Sequence, residues 1–163
     1  MSAGNTAVSA VETRLAGLGI TLPDVAPPVA AYVPAVVTGS YVYTSGQLPF
    51  IEGKLPVSGK VGAPGGGIDA GTATSLAATC AVNALAAIKS QIGDLDRITR
   101  IVKVVGYVAS DPSFTGQPGV INGASELLGA VLGDAGVHAR SAVGVSVLPL
   151  DSPVEVEVIA EFV

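Results

Sequence analysis

The chain has 163 residues, 8 Lys+Arg against 13 Asp+Glu for a formal net charge of −5, and 49% hydrophobic against 13% charged residues. That length suits one domain, and so apolar a chain is no disordered polyelectrolyte. With little charge to cover its outside and a mean hydropathy of +0.61, it is expected to bury part of its surface against copies of itself as a homo-oligomer.

The same composition excludes several functions. An acidic chain without a Lys/Arg run and with 4% aromatics offers neither a basic stripe nor a stacking platform, so no nucleic-acid partner is expected. The single cysteine, Cys80, cannot form an internal disulfide, and the single histidine, His138, cannot build a His-rich metal site. Val25–Ile51 and Ala70–Ile88 carry no charged residue. The first is broken by prolines and Gly39, and the second is mostly Ala, Thr, Ser and Gly, so neither reads as a membrane span. Met1–Thr13 lacks the charged and apolar regions of a signal peptide, which makes the cytoplasm the expected location.

In chain order, Val8, Val11, Leu15 and Leu18 recur at helical spacing from Thr6 and predict a short helix. A proline-marked connector follows, so residues 1–31 read as an N-terminal helix and linker and 32–163 as the main domain. Val33–Val37 and Tyr41–Ser45, separated by Thr38-Gly39-Ser40, predict a hairpin. Gly53–Gly67, with Pro56, Pro64 and three consecutive glycines, supports loop and little else. Lys60 precedes those glycines, which argues against a P-loop.

Thr72–Gln91 places Leu76, Cys80, Ala84 and Ile88 on one stripe and predicts a long buried helix. Ile98–Ala109 reads as a strand, Gly119–Leu132 as a second helix, and Val137–Val147 and the run from Val154 as strands. In Val137–Val147 the valines 137, 143, 145 and 147 are expected to face the core, and His138, Arg140, Ala142 and Gly144 the other side. Val154, Val156, Val158 and Ala160 likewise oppose Glu155, Glu157 and Glu161. Ile92-Gly93-Asp94 and Leu132-Gly133-Asp134 mark two helix-to-strand units, hence a duplicated β-α-β plan with the helices on one side of a mixed sheet.

Among residues able to do chemistry, Arg140 stands in mid-strand among apolar neighbours. It is either paired with Glu155, Glu157 or Asp151 or aimed at an anionic ligand. Glu155 is either a carboxyl whose burial raises its pKa toward acid–base use or part of a solvated strand face. Ser45 lacks a nearby base and a Gly-x-Ser-x-Gly elbow, so a turn serine bonded to backbone is expected. Cys80 reads as an inert core thiol, and His138 as a satisfied strand histidine able to steer an acidic ligand.

The run Ala139-Arg140-Ser141-Ala142-Val143-Gly144-Val145, then Leu148-Pro149, then Val154-Glu155-Val156-Glu157-Val158-Ile159-Ala160 resembles the signature of the YjgF/YER057c/UK114 family, also called the Rid family. Tyr32-Val33, Tyr43-Thr44-Ser45-Gly46-Gln47 and Ile121-Asn122 extend the resemblance over roughly Tyr32 to Phe162. It implies an α+β, chorismate-mutase-like β-α-β-β-α-β fold, a mixed sheet with two helices on one face, assembled as a homotrimer with ligand clefts between subunits. It further implies cofactor-free hydrolysis of reactive 2-enamines and 2-imines to 2-oxo acids and ammonia. In that scheme Arg140 grips the substrate carboxylate, Glu155 orients water, and Tyr32, Ser45 and Asn122 line the cleft. Ala142 lines it too, standing where many RidA-type members have cysteine, so nothing that depends on a thiol there carries over. The N-terminal helix and the Gly53–Gly67 loop exceed the compact pattern. Two other functions are open: a non-catalytic binder of small carboxylates, and an endoribonuclease, which the negative charge disfavours.

Overall fold

The structure, a computed structural model, describes residues 8–25 and 31–163. Ser9 caps helix α1 (Ala10–Gly17) by accepting from the Glu12 amide; the expected start at Thr6 lies outside the described residues. Val11 and Leu15 of the predicted stripe are buried, whereas Val8 and Leu18 are exposed. β1 (Ala35–Thr38) and β2 (Tyr41–Thr44) form the predicted hairpin. Helix α2 (Ala70–Ile92), capped by Asp69, strand β3 (Ile98–Ala109), helix α3 (Gln117–Leu132), strand β4 (Ala139–Val145) and strand β5 (Val154–Phe162) complete the order.

The sheet runs β1-β2-β5-β3-β4, with β3 and β4 parallel and every other neighbouring pair antiparallel. The fold is α+β, but the chain order is β-β-α-β-α-β-β and not β-α-β-β-α-β. The two helix-to-strand units, β2-α2-β3 and β3-α3-β4, share β3. β5 enters between β2 and β3, which is why two glycine-ended helices do not require four separate flanking strands.

α2 and α3 lie on one face of the sheet, where Leu85, Ile88, Ile101, Val104, Val108, Ile121, Leu128, Val154 and Val156 are fully buried. Burying each such side chain is worth about 1.5–3 kcal/mol. α2 is the one helix among the described residues long and apolar enough to cross a membrane, and it is a core helix with 67% of its most apolar window buried. Its contact with α3 is close: a Cβ on Gly123 would overlap the Thr74 carbonyl of α2. That approach lays α3 across β3 and β4.

Two expectations change. The Gly53–Gly67 segment is more than a loop. Val61 within it is fully buried, donates to the Ala109 carbonyl at 2.8 Å and accepts from the Asp111 amide at 2.9 Å, so the segment is pinned to the end of β3. The faces of β4 are also reversed. Arg140 bonds to α3 and Ala142 packs against the core, while Val137, Val143 and Val147 are 72%, 44% and 65% exposed. β4 is an edge strand, and its helix side is a narrow gap that takes small or polar side chains. The bulkier valines lie where no helix among the described residues covers them. β5, a central strand, keeps the predicted orientation, with Val154, Val156, Val158 and Ala160 buried.

Candidate functional site

Arg140 sits on the helix side of β4, opposite the first turns of α3. Its Nη1 donates to Asn122 Oδ1 at 2.8 Å and to Ser125 Oγ at 3.2 Å, and its Nη2 to the Pro118 carbonyl at 3.2 Å. These partners are neutral. The salt bridge found among the described residues is Lys89–Glu12, so Glu155, Glu157 and Asp151 do not neutralise the guanidinium. A guanidinium carries five N–H donors. Nε–H and one Nη2–H therefore have no acceptor among the described residues, and they retain the capacity to take a carboxylate. Ala142 lies one step further along this side of the strand, partly buried. Beyond it Gly144 borders a cleft of about 350 Å³ that Lys60, Ser110, Phe114 and Gln117 also line.

Glu155 lies on the other face of the sheet. It pairs in register with Tyr107 of β3, which in turn pairs with Val143 of β4, and side chains of such partners share a face. The carboxyl is half-buried, and its pKa is raised first by that burial and second by the neighbouring Glu157 carboxylate. Gly46 explains the Tyr43-Thr44-Ser45-Gly46-Gln47 run. A Cβ there would overlap the Glu155 carboxylate, so a larger residue would displace that carboxyl from its place beside the backbone after β2. Ser45 donates through Oγ to the Val33 carbonyl at 2.6 Å, the backbone role expected of it, and Tyr32 next to Val33 is exposed.

The predicted site residues thus fall into two groups within one chain. Arg140, Asn122 and Ala142 stand on the helix side at the β4 edge, whereas Glu155, Ser45 and Tyr32 stand at the β2–β5 junction. The fold does not bring the two groups together in a single protomer.

Sequence reasoning missed Ser125. Its Oγ lies 2.9 Å from His138 Nε2, and His138 Nδ1 lies 2.6 Å from the Gly136 carbonyl oxygen. The signal was present in the spacing: Ser125 follows Asn122 by three residues, which places both on one face of α3. Cys80 is fully buried against β5, with Sγ 3.9 Å from the Val154 carbonyl, and burial pushes its thiol pKa well up; it is the inert core thiol expected. On the helix-free face Tyr107 donates to Glu157 at 3.0 Å and Lys103 to Ser141 at 3.1 Å.

Residues 12–162 match the family described as "YjgF/chorismate mutase-like, putative endoribonuclease". A Trypanosoma cruzi protein, TCP17, is 41% identical over 152 residues, covering 93% of each chain. The crystal structure of Atu1372, of unknown function, from Agrobacterium tumefaciens is 47% identical with a TM-score of 0.87, covering 94% of this chain and 93% of that one. RidA from an Antarctic Psychrobacter is 26% identical with a TM-score of 0.56, covering 83% and 92%.

Proposed function

Because the chain belongs to the YjgF/chorismate mutase-like family, we propose that it hydrolyses reactive 2-enamine and 2-imine acids to 2-oxo acids and ammonia, without a cofactor, as a cytoplasmic homotrimer. The observation that carries this reading is the Arg140 guanidinium, fixed by Asn122, Ser125 and the Pro118 carbonyl and bonded to no carboxylate among the described residues. A planar fork held by neutral acceptors keeps its full charge for a ligand, and two parallel N–H bonds to a carboxylate would fix the neighbouring imine carbon. Glu155, with its raised pKa, would orient the attacking water and exchange protons with it. Since the two groups of residues lie on opposite faces of one sheet, a complete site in this reading takes Arg140, Asn122 and Ala142 from one copy and Tyr32, Ser45 and Glu155 from another.

The test couples a pyridoxal-phosphate dehydratase to the purified protein and times 2-oxo acid formation. Wild type is expected to accelerate release, and Arg140→Ala to lose about 10²-fold or more of that acceleration. No acceleration, or equal acceleration by the variant, removes the reading. The separation of Arg140 from Glu155 within a chain also favours a second reading, a carboxylate binder without turnover, which needs the Arg140 side alone. Calorimetric binding of 2-oxobutyrate that survives Glu155→Gln, with no turnover by wild type, would establish it. An endoribonuclease activity remains the poorest fit to a chain of net charge −5.

A further inference from the structure

The hydrogen bonds behind Arg140 form a directed chain. A backbone carbonyl can only accept, so the 2.6 Å contact between Gly136 O and His138 Nδ1 assigns the ring proton to Nδ1. In the neutral ring Nε2 is then a bare lone pair, and Ser125, 2.9 Å away, donates its hydroxyl proton to it. The Ser125 oxygen keeps its own lone pairs, one of which accepts from Arg140 Nη1 at 3.2 Å. When Nε2 carries a proton the polarity reverses: Nε2–H donates to Ser125, whose hydroxyl hydrogen turns outward beside the guanidinium. The first state satisfies every one of these groups; the second leaves the Ser125 hydroxyl hydrogen free for a ligand, and the two differ by one proton delivered at Ser125. Arg140 is the one charged side chain hydrogen-bonded to this set among the described residues.

We propose that Ser125 and His138 form the proton relay of the Arg140 site, passing a proton from the attacking water to the departing nitrogen of a carboxylate-bearing imine; this rests on the clamp role of Arg140 proposed above. Ser125 is the group that touches the reacting atoms, and His138 is a positioning residue that stores the proton behind it. In the addition step the water oxygen bonds to the iminium carbon, and one water proton passes through Ser125 to Nε2, leaving an imidazolium and a neutral carbinolamine. In the collapse that proton returns through Ser125 to the nitrogen, the C–N bond breaks and ammonia leaves. The carbinolamine hydroxyl loses its proton as the C=O bond forms. Glu155 orients the water in the first step and exchanges the proton that the carbinolamine hydroxyl sheds in the last.

His138 is the only histidine in the chain, so imidazole nitrogen NMR of the labelled full-length protein reports it alone. Titration with 2-oxobutyrate is expected to shift the Nε2 resonance in wild type and not in Ser125→Ala. In the coupled assay Ser125→Ala and His138→Gln are expected to lower kcat by about 10²-fold or more, His138→Gln with 2-oxobutyrate affinity within about threefold of wild type, while Ser125→Thr, which keeps a hydroxyl, recovers most of the rate. Rates close to wild type in both variants, or a rate loss in His138→Gln matched by an equal loss of 2-oxobutyrate affinity, would overturn the relay. Should wild type show no turnover, the imine reading falls separately, and an Nε2 resonance unmoved by bound 2-oxobutyrate overturns the relay by itself.

Discussion

Glu155 carries an energetic cost of its position. Burial and the adjacent Glu157 raise its pKa from the ordinary glutamate value, so the folded chain holds a proton there more tightly than the unfolded chain does. A carboxyl with a raised folded-state pKa favours the fold fully at pH below its unfolded value, and that contribution is lost as pH rises through the folded value. Above the folded-state value the ionised group therefore destabilises the fold relative to a neutral one. Glu155→Gln is expected to raise the thermal midpoint at pH 7 and to leave it nearly unchanged at pH 4; equal shifts at both values would contradict the burial argument. How far such residues are legible in sequence differs from one to the next. Arg140 stood out as a charge in a strand of alanines and valines, and Glu155 as one between two valines. Ser125 did not, because a serine in a helix is ordinary until a histidine just ahead of β4 comes to rest against it, and that contact depends on how α3 crosses β4.

At the scale of elements, local periodicity located the helices and strands because each buries one face against the others, and it erred at β4 because an edge strand obeys a weaker rule. With Ala142 and Gly144 on the helix side and valines on the other, hydrophobicity pointed the wrong way. Helix α1 shows a different dependence. Its exposed N-terminal amides are met by a residue from far along the chain: Asp96 Oδ2 accepts from Ala10 N at 2.7 Å, and Oδ1 from Val11 N at 2.9 Å and from Ser9 Oγ at 2.8 Å. Those bonds, led by the one from the Val11 amide, hold the Asp96 pKa down. A helix of 8 residues is too short to persist alone, so it stands on this anchor and on Val11 and Leu15 in the core. Asp96→Ala is expected to cost about 1 kcal/mol, the usual worth of a lost cap, and to raise amide exchange selectively in Ala10–Gly17. Exchange unchanged there would show that the apolar contacts suffice.

For the whole molecule, the decisive feature is a sheet whose helices, among the described residues, lie on one side. On the uncovered side Val36, Tyr41, Tyr43 and Val143 are between 37% and 46% exposed, beside the Tyr107–Glu157 and Lys103–Ser141 pairs. Composition had already predicted burial against other copies, and the structure locates where the apolar surface lies. Sedimentation is expected to give a trimer at micromolar concentration, and Val143→Glu, which sets a charge on that face, to shift it toward monomer without unfolding the subunit. A monomeric wild type would leave this face unexplained by self-association.

The sheet order gives the subunit a definite history. β5, the last strand of the five in chain order, lies between β2 and β3. Without residues 154–162 the hairpin and the β3–β4 pair share no ladder, and each would present an unsealed margin to other chains. The keystone strand also carries Glu155, so the moment that locks the architecture is the same moment at which its acidic group first acquires an address.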